Sequence, residues 1–128
     1  MEHSLEDIED AIRHSWGSDS CYERSLWDAE RPYRGQAATT ALVLLDFLGG
    51  ELLEARVSRA GLTVEHHYWV RLPSGAEVDL TRDQFGDDLT IGDPEVRHRP
   101  RRLKSGPRKQ YRALLDRVNA HLGVRDGG

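Results

Sequence analysis

Apolar residues recur along the chain in three different rhythms, and each rhythm predicts a different element. Leu5, Ile8, Ile12 and Trp16 are spaced three to four apart, the period of an amphipathic helix. Ser4 with Asp7 three residues on predicts a capping box at its start, and Gly17 predicts its end. From Ala37 to Leu48 the chain is apolar on nearly every side, with Thr39, Thr40 and Asp46 as the exceptions. A surface helix has one apolar stripe, so this pattern predicts a central helix buried on most faces. Gly35 lies before it, and Gly49-Gly50 suits a left-handed cap. Tyr111, Leu114, Leu115, Val118 and Leu122 predict a last amphipathic helix that starts near Ser105, carries Pro107 just inside and closes at Gly123.

Between the second and third helices the rhythm becomes two. Leu53, Ala55 and Val57 alternate with Glu54, Arg56 and Ser58, a strand with one wet face, and Ala60-Gly61 marks a turn. Val64–Leu72 and Ala76–Thr81 flank Pro73-Ser74-Gly75 as the arms of a hairpin. Pairing Leu72 with Ala76 sets Val70 against Val78 and Tyr68 against Leu80, one wholly apolar face. The opposite face then carries Arg71 with Glu77, Trp69 with Asp79 and His67 with Thr81, and makes His67 and Asp79 diagonal neighbours. His66 points the other way. Leu89–Val96 predicts a short strand broken by Gly92 and Pro94. The fold class is therefore α+β, with a central buried helix packed on a small antiparallel sheet and flanking N- and C-terminal helices.

The 18-residue connection Ser18–Gly35 is long for a structureless loop and points to a functional role or a cover for the core. Tyr22, Leu26, Trp27 and Tyr33 are the expected pins. At 128 residues the chain, 1–128, reads as a single domain. One cysteine, Cys21, excludes an internal disulfide framework and multi-cysteine metal sites. No metal or other cofactor is expected, and adjacent His66-His67 diverge on a strand and make a poor ligand pair. The amino end has no secretory pattern and the longest apolar run is far short of a membrane span, so a cytoplasmic location is expected. A net charge of −4 argues against nucleic acid as a partner, despite the basic run Arg97–Lys104 with Arg108 and Lys109.

Chemistry enters with the start of the central helix. Its N–H groups and dipole favour an anion, the placement that suits a catalytic thiolate. A helix start followed by a strand bearing His and a strand bearing Asp is the layout of cysteine acyl-transfer enzymes. The dipole and an imidazolium depress the thiol, His moves the proton, Asp orients the imidazole, and backbone N–H groups hold the oxyanion. His67 and Asp79 fit the second and third places.

Gly35-Gln36-Ala37-Ala38-Thr39-Thr40-Ala41-Leu42, Gly49-Gly50, His67-Tyr68-Trp69, Gly75 with Asp79-Leu80-Thr81, Gln84-Phe85 and Arg108–Leu115 together resemble the signature blocks of the YunG-type small proteins. The layout is also similar to papain-like and transglutaminase-like cysteine enzymes. This resemblance implies His67 as general base, Asp79 as its orienting partner, and Ala37 at the position of the nucleophilic Cys. Gln36 and Trp69 are candidates for oxyanion or substrate contact, while Gln84 and Phe85 read as a turn lock. The residue after Trp69 is commonly Asn in that pattern and is Val70 here. Ala37 itself has three readings: an introduced substitution, a natural loss, or a nucleophile moved to Cys21, which lies in a loop with no helix terminus evident. The function that follows is thiol-dependent acyl chemistry on a peptide or small amide, inactivated at Ala37. The alternative is a non-catalytic module that binds such a ligand.

Overall fold

The computed structural model describes residues 3–127. Helix α1 spans Leu5–Arg13, α2 Ala37–Leu48 and α3 Ser105–Gly127. Strands β1 (Glu51–Arg59), β2 (Leu62–Arg71), β3 (Glu77–Val78), β4 (Thr90–Ile91) and β5 (Glu95–Arg97) form one antiparallel sheet. The architecture is α+β. Strand order is β3-β2-β1-β4, with β5 also on β1.

The capping box forms as expected: Asp7 N donates to Ser4 Oγ at 3.1 Å, and Ser4 N to the Asp7 carboxylate. The helix stops at Arg13, earlier than Gly17. The Ser15 hydroxyl donates to Ala11 O at 2.6 Å, an alternative to continuing the ladder. Trp16, free of the helix, donates its indole N–H to Thr40 Oγ1 at 2.9 Å. At the other end α3 runs through Gly123 to Gly127. A lone glycine weakens a helix but ends it only where it turns left-handed, and Gly123 is not among the positive-φ glycines.

Thr39–Leu44 are all buried, as expected of the central helix. Beyond them Leu45 is half-buried and Asp46 exposed. Ile8, Ala11 and Ile12 of α1, Ala41, Val43 and Leu44 of α2, Leu52, Val70 and Val78 of the sheet, and Leu114, Val118 and Leu122 of α3 make one core. The hairpin register is the expected one, with Val70 opposite Val78 and Arg71 opposite Glu77. Leu72 N donates to Ala76 O at 2.8 Å, closing the Pro73-Ser74-Gly75 loop. The ladder ends at Val78, however, so Asp79–Thr81 leave the sheet. Gly92 and Pro94 split the expected strand near Leu89–Val96 into β4 and β5, both paired with β1.

The connection Ser18–Gly35 holds a single 3₁₀ turn, Arg24–Leu26. Tyr22 and Leu26 do not pin it; they are 65% and 51% exposed. Polar bonds do that work instead. Asp19 receives two guanidinium N–H bonds from Arg117 at 2.8 and 2.7 Å, while Arg117 Nε donates to Ser15 O at 2.7 Å. The Arg117 hydrogen bonds hold the Asp19 carboxyl below its ordinary pKa, against the upward push of partial burial. Both side chains are 40% exposed, so solvent screening limits the pair. Arg117→Ala is expected to cost about 1 kcal/mol and to speed tryptic cleavage at Arg24 and Arg34. Unchanged loop cleavage would show that the tether is idle.

Candidate functional site

Because β3 leaves one edge of the sheet and β4 enters at the other, residues 79–89 must cross β2 and β1. They cross on the face of His67 and Trp69. Phe85 meets the His67 ring edge-on at 4.8 Å, and the Arg82 guanidinium lies 5.0 Å from the centre of the Trp69 ring. This cover explains why a face read from alternation as the one away from the helices is nonetheless closed: His67 is 0% and Trp69 4% exposed.

His67 and Asp79 come together. Nε2 lies 2.7 Å from Asp79 Oδ2. Arg82 Nε donates to the same oxygen at 2.6 Å, and Thr81 N to Oδ1 at 3.3 Å. Burial pushes the Asp79 carboxyl up, but the bond and charge of His67, then Arg82, outweigh it and leave the group below its ordinary pKa. When the imidazole is neutral, an ionised Asp79 accepts Nε2–H and the lone pair lies on Nδ1. That Nδ1 is buried and has no hydrogen-bond partner among the described residues. The arrangement is an oriented imidazole with its basic nitrogen unspent.

Ala37 is the first residue of α2, half-buried, and no side chain caps this helix start. It is linked to the His67 region through its neighbours: Gly35 N donates to Gln84 Oε1 at 3.4 Å, Gln84 Nε2 donates to Thr81 Oγ1 at 3.1 Å, and Phe85 follows in sequence. The turn lock expected of Gln84-Phe85 is thus a longer bridge, from the start of α2 to His67. A cleft of about 280 Å3 opens beside it, lined in part by Cys21, Gly35, Gln84 and Phe85.

Gln36 and Trp69 are committed elsewhere. The Gln36 side chain is 0% exposed, accepting from Ser20 Oγ at 2.6 Å and donating to Gly17 O at 3.0 Å. Trp69 donates to Glu77 Oε1 at 2.6 Å and packs against both the Arg82 guanidinium and the His67 ring, the latter 5.4 Å away. Both side chains pack and lock within the fold. His66 is exposed on the other face, as expected, 3.5 Å from Glu54.

Cys21 is closer to a helix start than its sequence context implies. It is buried, and a Cβ on Gly35 would fall 2.4 Å from its Sγ. Its thiol donates to Glu23 O at 3.2 Å. Arg82 is the site residue that the sequence pattern does not single out, although its spacing from Asp79, three apart after a strand, is a signal for it. Phe85, expected as part of a turn lock, instead covers the His67 ring.

Among the described residues, the group suited to a metal is Asp10, His14 and His121, on α1, its C-cap and α3, with ligand atoms within 4.8 Å of one another. It shares no residue with the His67 site. No described helix is long and apolar enough to cross a membrane.

Comparison with known proteins agrees with the blocks read along the chain. Uncharacterized protein YunG of Bacillus subtilis (strain 168) is 26% identical over 122 residues, covering 92% of this chain and 94% of that protein. No solved structure matches. The sequence model of the YunG protein family matches residues 4–123, so the chain belongs to that family.

Proposed function

We propose that the His67 region is the site of a thiol-dependent acyl-transfer enzyme whose nucleophile position is occupied by Ala37, in a layout like that of papain-like and transglutaminase-like enzymes. The observation that carries the reading is the unpaired, buried Nδ1 of an imidazole whose other nitrogen is fixed on Asp79 at 2.7 Å. Buried polar atoms in folded proteins nearly always find a partner, and the exceptions call for an explanation. A cysteine thiol at the start of α2 supplies one: the imidazole takes its proton and returns it to the leaving amine or alcohol of a peptide or small amide or ester. Uncapped N–H groups at the same helix start suit the oxyanion. With a methyl group at position 37 no covalent step is available, and the chain as written is inactive. Because His67 is fully buried, a ligand reaches Nδ1 only if the crossing segment that carries Phe85 shifts.

The test is Ala37→Cys in a Cys21→Ser background, alkylated with iodoacetamide between pH 5 and 9. Alkylation at pH 6 is expected to be on the order of tenfold faster than for free cysteine, since a depressed thiol pKa raises the thiolate fraction more than it lowers nucleophilicity. Adding His67→Ala should remove the excess. An ordinary profile near pKa 8.5 in both backgrounds would mean that His67, Asp79 and Arg82 are only a structural network.

A further inference from the structure

We propose that the cleft between the loop after β5 and the first turns of α3 binds an oligophosphate, an anion carrying two or more adjacent phosphate groups. Residues 97–112 hold 8 of the chain's 18 lysines and arginines and none of its 22 acidic residues. The fold uses two of the eight. Arg97 pairs with Glu54 and Glu95, both at 2.7 Å, and Arg99 pairs with Asp46 of α2 at 3.0 Å while lying over the Tyr111 ring.

The other six have no ion pair among the described residues. Four of these, Arg101, Arg102, Arg108 and Arg112, converge with Arg99 on a cleft of about 380 Å3 whose apolar lining includes Leu103 and Tyr111. Some arginines elsewhere have structural work: Arg117 ties a loop, Arg82 holds Asp79, and Arg59 reaches Asp88, while Arg24, Arg31 and Arg34 have no ion pair among the described residues and line no cleft together. The four in the cleft have no ion pair or side-chain hydrogen bond among the described residues, and like charges lining one cleft repel one another inside the Debye length. An anion removes that repulsion.

Guanidinium forks match phosphate oxygens in bidentate geometry, which points to phosphate over a lone carboxylate. Four free cations call for three or four negative charges, more than orthophosphate brings. The cleft has the volume of a small-molecule site. A long nucleic acid fits less well. Its stacking platform would be Tyr111, already covered by Arg99, and the rest of the chain, over which the strand would run on, carries all 22 acidic residues of the sequence.

Calorimetric titration of the full chain at 150 mM NaCl with tripolyphosphate, ATP, orthophosphate and a 20-nucleotide single strand tests this. Tripolyphosphate or ATP is expected to bind at least tenfold more tightly than orthophosphate, ATP exceeding tripolyphosphate only if the base adds contacts. Arg108→Ala/Arg112→Ala should weaken binding tenfold or more, and Arg108→Lys/Arg112→Lys less. Arg24→Ala/Arg31→Ala removes the same charge elsewhere and should leave binding within twofold. If the α3 variant loses its circular dichroism signal, Arg101→Ala/Arg102→Ala in the loop takes its place. Equal affinity for tripolyphosphate and orthophosphate, equal loss in the Arg24/Arg31 control, or tightest binding by the oligonucleotide each overturns the proposal.

Discussion

Gly50→Ala is expected to lower unfolding stability by roughly 3 kcal/mol or more, combining backbone strain with overpacking. Gly50 sits at φ +101, where side chains are rarely tolerated, and the added Cβ would lie 2.2 Å from the backbone oxygen of Arg71. That oxygen belongs to β2 next to Leu72, so it cannot rotate away as a flexible side chain would. The residue is pressed there because only Gly49-Gly50 separates α2 from β1, while β1 pairs Glu51 with Arg71. Gly61→Ala is the control. Gly61 has φ +80 but open space around it, so it should cost only the conformational strain, about 1–2 kcal/mol. Urea denaturation of both variants separates contact from strain. Equal losses would show that β2 yields to the new methyl.

Asp79→Ala should cost about 3 kcal/mol, because His67 already has one ring nitrogen without a partner and would lose the other. Arg82 would lose its carboxylate in the same step. Asp79→Asn keeps the shape and isolates the charge. In the folded chain the Asp79 carboxyl titrates below its ordinary value, so the unfolded state binds the proton first as pH falls. Its contribution is complete above the ordinary carboxylate range, near pH 4, and is lost as pH drops through the lower folded value. The wild-type chain should therefore lose stability between pH 5 and pH 2 more steeply than Asp79→Asn. Parallel stability curves for the two would show that the His67–Asp79 bond carries no net electrostatic stabilisation.

The hairpin register was legible because a one-residue slip would have turned Val70 and Val78 outward, and Asp79, just past the end of the ladder, still meets His67. The capping box, the limits of α2 and the pin-like Pro73-Ser74-Gly75 loop rested on equally local rules. The stopping point of α1 did not: Trp16 keeps helical spacing, yet its partner Thr40 is 24 residues away. The connection before α2 was misread for the same reason. Tyr22 and Leu26 looked like anchors by side-chain type, whereas the tether is Arg117, from the far end of the chain. Phe85 over His67 follows from the edge-to-edge crossing after β3, which no residue pattern announces.

The pairing of α1 with α3 bears on how the chain reaches this structure. From α2 through β2, neighbours in space are neighbours in sequence, and such segments close cheaply and early. The bond from Arg117 to Ser15 joins positions 102 apart, and Ile8 and Ile12 share their core with Leu114 and Val118. We expect the first helix to remain undocked while the helix–hairpin unit forms, and the rate-limiting step to be the closure that lets the two outer helices meet. Changes at the outer-helix contact should then slow folding, whereas most sheet substitutions should chiefly speed unfolding.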